Sequence, residues 1–259
     1  MTQFVTPIAQ PTTPTPPVAV GKPRKDIANI YFILDKSGSM SWMQDQAIAG
    51  FNKFISDQRE LEGVTKVTLV QFNDKPARPL YEAQDIKSVQ PLNRMTYVPD
   101  GGTALNDAVG FLLSEHLETS SPDETHIIAI LTDGQENASK EYKLEDVRAL
   151  FARAEAKNWE ILFLGANMTK DSVVNTYGIN ASNVSAFEAT HKGMNDAFTT
   201  LSASTSSYRG LKSAGNLNAK VDVEAVYAAT STVNPAGISN FDASSLQDFV
   251  NKTLKQPKP

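Results

Sequence analysis

The chain of 259 residues contains no cysteine, which excludes disulfide frameworks, thiolate catalysis and cysteine-ligated zinc together. Histidine is nearly as scarce. His116, His126 and His191 are the only three, and no two of them stand one helical turn apart as a zinc-binding pair would. The formal net charge of −5 argues against a nucleic-acid partner, which requires a concentrated basic surface to displace counterions. No run approaches the roughly 18 consecutive apolar residues that span a bilayer, and the N-terminus lacks the basic-then-apolar order of a secretion signal. No membrane association is therefore expected, and the cytoplasm is the default compartment. Phosphate-cradling signatures are missing too: neither a Walker loop nor a Gly-x-Gly-x-x-Gly run occurs.

What is present is an ordinary globular mixture, 41% hydrophobic and 20% charged, sufficient for one large α/β domain with tails. Residues 1–25 hold six of the fourteen prolines, with Thr and Gln between them, and are expected to form an extended or disordered tail. The domain is expected over 26–208. From 209 to 259 small polar residues dominate, so a polar tail is expected, with a short amphipathic helix carrying Leu246, Phe249, Val250 and Leu254 on one face.

Within the domain, short apolar runs alternate with stretches of helical spacing. Ile27–Leu34 is almost wholly apolar, as a parallel strand covered on both faces is. Ala47, Ile48, Phe51, Phe54 and Ile55 then recur at intervals of three and four, which predicts a helix. Val64–Phe72 reads as a strand and Ala77–Glu82 as a short edge strand beside Pro76 and Pro79. Ala104, Leu105, Ala108, Val109, Leu112, Leu113 and Leu117 predict a second helix with Thr103 at its cap. Further strands are expected at 126–131, 160–166 and 183–187, and helices at 144–157, 169–177 and about 193–207. The order implies a three-layer, doubly wound α/β domain with a mostly parallel sheet and one short antiparallel edge strand, whose ligands bind at the carboxyl ends of the strands.

Oxygen-bearing side chains collect where that architecture places a site. Asp35-Lys36-Ser37-Gly38-Ser39 follows the first strand, Gly101-Gly102-Thr103 opens a long helix, and Thr132-Asp133-Gly134 follows the strand at 126–131. An all-oxygen set of Asp35, Ser37, Ser39, Thr103 and Asp133 suits a hard cation such as Mg²⁺, which prefers octahedral oxygen coordination and seldom takes an all-protein cage, so that a position stays free for an outside ligand.

These three segments resemble the metal-ion-dependent adhesion site of the von Willebrand factor A family, whose pattern is Asp-x-Ser-x-Ser, a distant Thr and a later Asp at a strand end. The resemblance covers roughly Asp26 to Phe187 and is nearest to stand-alone bacterial and bacteriophage members, which adds a virion as an alternative location. It implies metal-dependent binding of a protein partner through a Glu or Asp carboxylate, without catalysis, and with Mn²⁺ or Ca²⁺ as alternatives to Mg²⁺.

Ordinary readings stand beside these. Asp35, Ser37 and Ser39 also suit a turn that caps a helix, and Thr103 and Asp133 suit a cap and a turn. Met40, Trp42 and Met43 suit either core packing or a contact surface, whereas Trp159 suits packing. Glu136 and Asn137 are rim candidates, and Asp107 is a supporting or merely solvated carboxylate. Two other functions compete: a virion or assembly component whose tails make the contacts, and a Mg²⁺-dependent phosphoryl-transfer enzyme using Asp35. The second lacks the customary acid two residues later, because Ser37 stands there.

Overall fold

The computed structural model describes residues 27–216 and 218–233. The expected Pro-rich tail and the amphipathic segment containing Leu246 and Phe249 lie outside these residues. Six strands, β1 (Ile27–Asp35), β2 (Val64–Phe72), β3 (Arg78–Asp85), β4 (Thr125–Thr132), β5 (Glu160–Ala166) and β6 (Val184–Phe187), form one sheet in the order β3-β2-β1-β4-β5-β6. All neighbours pair in parallel except β2 and β3, which are antiparallel.

The apolar run of β1 is explained by burial on both faces. Ile30, Phe32 and Leu34 enter the core beneath helices α1 (Gln44–Arg59), α5 (His191–Ser213) and α6 (Val223–Val233). The alternate residues Tyr31 and Ile33 enter a second core beneath α2 (Leu105–His116), α3 (Leu144–Ala156) and α4 (Lys170–Tyr177). The same alternation runs along β4, with Ile127, Ala129 and Leu131 on one side and Ile128 and Ile130 on the other. The result is the expected three-layer doubly wound arrangement. Its strand order reverses between β1 and β4, which opens a crevice at their carboxyl ends.

Three expectations need correction. The edge strand β3 runs three residues beyond Glu82, to Asp85, and pairs with β2 in an irregular register that places Ala83 at φ 44. Thr103 is not the cap of α2; Ala104 occupies that position, without a side-chain cap, and the Thr103 hydroxyl is directed elsewhere. Ordered structure also continues past residue 208, where a polar tail was expected. α5 extends to Ser213, and Ala219, Val221, Val223 and Val226 are buried in the first core.

The physical reason for the last miss is that several hydroxyls of α5 bond to the backbone of their own helix, although the buried hydroxyls of Ser204 and Thr205 find no partner. Thr200 donates to the Asp196 carbonyl at 2.8 Å, Ser206 to Ser202 at 2.8 Å and Ser207 to Ala203 at 2.7 Å. Such back-bonding lets small polar residues line a buried helix. The chain beyond α5 is anchored by the buried Glu160 of β5, which accepts from Val221 N–H and Lys220 Nζ, both at 3.0 Å. No described helix is long and apolar enough to cross a membrane.

α1 and α5 approach closely at Gly50, where any Cβ would overlap the Phe198 ring. Gly50→Ala adds about 1 kcal/mol of helix propensity, but overpacking of a filled core costs about 1–3 kcal/mol. The expected outcome is a net loss of stability, read as a lower urea midpoint with an unchanged m-value. A midpoint at or above wild type would show that Phe198 swings aside freely.

Candidate metal centre

Asp35 ends β1 fully buried, with both carboxylate oxygens held. Oδ1 accepts the backbone N–H of Ser37 at 2.7 Å, and Oδ2 accepts the hydroxyl of Thr132, the last residue of β4, at 2.6 Å. Leu34 pairs with Leu131 across the two strands, so their ends meet where this bond forms. The loop after Asp35 then turns its hydroxyls inward. Ser37 Oγ lies 3.0 Å from Ser39 Oγ, and Ser39 Oγ donates to Asp133 Oδ1 at 2.7 Å.

Thr103 arrives from the third loop. A Cβ built on Gly134 would lie 3.4 Å from Thr103 Oγ1 and 3.9 Å from Ser39 Oγ, so both hydroxyl oxygens border the space beside Gly134. Gly38 N–H donates to the Gly101 carbonyl at 2.9 Å and Asp100 N–H to the Lys36 carbonyl at 2.9 Å, which binds the first loop to the third. Gly101 has φ +72, and the Asp74 carboxylate occupies the place of its missing side chain; a residue with a Cβ would be strained and obstructed there. The five residues singled out in the sequence are thus brought to one rim by three loops.

Their supports were less legible. Asn137 Oδ1 accepts Thr103 N–H at 2.9 Å, while Asn137 N–H donates to the Thr103 carbonyl at 3.0 Å. Glu136 accepts the N–H groups of Asn106, Ala138 and Ser139 at 2.8–2.9 Å. These two rim candidates therefore brace the loops against each other. Asp107 accepts the N–H groups of Lys140, Glu141 and Tyr142 at 2.8–2.9 Å and braces a neighbouring turn. Thr132 and Tyr97, whose hydroxyl donates to the Asp35 carbonyl at 2.5 Å, went unnoticed. Thr132 adjoins Asp133 and offered a signal; Tyr97 lies 62 positions from its partner and offered none. Met40, Met43 and Trp159 are buried, and Trp42 is half exposed.

Residues 29–202 match the family model of the von Willebrand factor type A domain. The chain belongs to this family. Among solved structures, proximal thread matrix protein 1 from the mussel byssus is similar at 15% identity and a TM-score of 0.51, over 68% of this chain and 45% of that one. The D319A mutant of the PilB minor pilin from Streptococcus sanguinis is similar at 14% identity and a TM-score of 0.51, over 76% of this chain and 64% of that one. This von Willebrand factor A chain thus spans about half the length of the mussel protein, and at such identities the likeness is one of fold. No curated protein matches it by sequence.

Burial governs the electrostatics of this von Willebrand factor A rim. Among the described residues, no three of His, Asp and Glu gather in one place; the donor set is two carboxylates with three hydroxyls. Asp35 and Asp133 are 0% and 2% exposed, and neither pairs with a basic side chain among the described residues. Burial pushes the Asp35 carboxyl up to about 6, against the lowering effect of its bonds to Thr132 and Ser37. Burial also raises Asp133, whose bond from Ser39 opposes the shift.

An exposed aspartate ionises near pH 4 (about 3.9), whereas folded Asp35 keeps its proton to about 6. Its contribution to stability is fully present below roughly pH 4 and is lost as pH rises through about 6. In chelator, urea titrations across that window are expected to show a falling stability component that Asp35→Asn removes. Parallel pH curves for the two proteins would contradict this account.

Proposed function

We propose that the chain is a divalent-cation-dependent protein-binding module. Asp35, Ser37, Ser39, Thr103 and Asp133 hold Mg²⁺, for which Mn²⁺ or Ca²⁺ can substitute, and a Glu or Asp carboxylate of a protein partner completes the coordination. The observation that carries this reading is the pair of buried carboxylates without a basic partner, joined through hydroxyls at the crevice of the sheet. Buried charge without compensation is costly, and a cation among these oxygens offsets that cost.

The donor chemistry fits such an ion. Ser39 donates its one proton to Asp133, which leaves its lone pairs for another contact. Thr103 spends its backbone groups on Asn137 and Ala138, which leaves its hydroxyl oriented over Gly134. When bound, the cation supplies electrostatic attraction for an incoming carboxylate, with a charge that only two protein anions partly neutralise. The chain's own residues would hold the ion where the ends of β1 and β4 meet.

Two observations disfavour phosphoryl transfer. Asp35 is fully buried at the end of β1, and Ser37 stands two residues later, where a second acid is needed. A non-enzymatic binding role accounts for the arrangement better. The assembly reading rests on tails outside the described residues and has no observation of its own.

Binding of an ion to the folded state alone raises stability by about 2.7 kcal/mol at a hundredfold excess over Kd. For a domain of this size that corresponds to roughly 5–10 °C in Tm. Thermal unfolding with Mg²⁺ and with chelator is expected to show such a rise in wild type and none in Asp133→Ala. A wild-type midpoint indifferent to saturating Mg²⁺, Mn²⁺ and Ca²⁺ would sink the proposal.

A further inference from the structure

Five large hydrophobic side chains are exposed among the described residues, and three of them, Trp42, Met95 and Val98, belong to the two segments bordering the centre. Trp42 follows Ser39 by three positions, and Met95 and Val98 lie in the loop leading to Thr103. The two segments are stapled side by side. The Arg94 guanidinium donates to the Asp45 carboxylate at 2.9 and 2.6 Å, Gln44 Nε2 donates to the Tyr97 carbonyl at 2.8 Å, and backbone bonds join Asp100 to Lys36 and Gly38 to Gly101. Scattered exposed hydrophobics need no explanation. These three, at 50%, 87% and 51% exposure, all lie on the two stapled segments that lead to the metal loops, here called the strip.

Trp42 is exposed yet held. Its ring stacks on His191 with centroids 5.4 Å apart and planes 27° apart, and His191 Nε2–H donates to the Trp42 carbonyl at 3.1 Å. Met40 and Met43, on either side of it in the sequence, are fully buried and anchor the turn below. A side chain immobilised before binding loses little freedom on docking, and tryptophan is prominent among the residues that dominate interface energies.

Charge decides what covers the strip. Arg94 pairs with Asp45, and Lys75 with Asp100, on which the charge of Lys36 also acts. With the Asp74 carboxylate, which acts on Lys75 and lies against Gly101, three carboxylates face these three bases, so the strip offers little to lipid headgroups or nucleic-acid phosphates. A cation in the centre would be the unmatched positive charge.

We infer that Trp42, Met95 and Val98 form the contact surface for a protein segment that places one acidic side chain at the centre and an adjacent apolar side chain on the Trp42 ring. This rests on the cation-binding reading and adds the sequence character of the partner.

The test selects a displayed random-peptide library on the immobilised full chain in saturating Mg²⁺ and elutes with chelator. The enriched peptides are expected to pair Asp or Glu with a nearby aromatic or aliphatic residue. One such peptide, synthesised, is expected to bind about tenfold more weakly to Trp42→Ala and to Met95→Ser, while each variant keeps the wild-type Tm rise with Mg²⁺. In a Trp159→Phe background, the remaining Trp42 emission is expected to shift to the blue on adding the peptide. Chelator-eluted peptides that bind both variants as tightly as wild type would overturn the surface and leave the cation reading intact. Peptides that bind equally in chelator, or to Asp133→Ala, would overturn both. Mg²⁺-dependent binding to phosphatidylserine vesicles, without enrichment of any peptide, would overturn the protein partner in favour of a lipid one.

Discussion

The hydrogen bond from Thr132 to Asp35 ties the ends of the two central strands together and keeps a carboxylate fully buried at the rim of the sheet. Parallel pairing in this register puts the ends of β1 and β4 side by side, and the reversal of strand order there opens the crevice. The remaining loops are arranged around that junction. Tyr97 secures the Asp35 carbonyl, Ser39 reaches Asp133, and Asn137 grips Thr103 from both sides of its peptide.

Such a rim is held under electrostatic tension by its surroundings. Two carboxylates lie in a region where burial raises the proton affinity of both, and hydroxyls and backbone N–H groups solvate them only in part. The two apolar cores on either face of the sheet supply the stability that allows a locally unfavourable arrangement to persist, as functional sites commonly require. Close helix packing at Gly50 and the back-bonded hydroxyls of α5 contribute to that rigidity.

Around the rim, residues alike in composition divide into different roles. Met40 and Met43 anchor a turn from inside, whereas Trp42 between them faces outward and leans on His191. Glu136 and Asp107 are carboxylates near the centre, yet each is consumed by three backbone N–H groups. Their charges organise loops, whereas Asp35 and Asp133 stand at the ends of two strands and are held by Ser37, Thr132 and Ser39.

Strand and helix order was legible in the sequence because burial on both faces leaves continuous apolar runs and amphipathic helices leave a 3.6-residue period. The five oxygen-bearing residues were legible because each stands at the carboxyl end of a recognisable strand or at the head of a recognisable helix. The C-terminal part of the domain was not: a helix lined with serine and threonine can be buried when several of its hydroxyls bond to its own backbone, and composition does not reveal that. Nor did local pattern show that Tyr97 supports Asp35, that Asn137 holds Thr103, or that the segment of Trp42 is stapled to that of Met95 and Val98. The layers and the candidate ligands were readable because periodicity and short motifs lie within single segments; the supports and exposed neighbours emerge only on folding, because they depend on contacts between loops far apart in the chain.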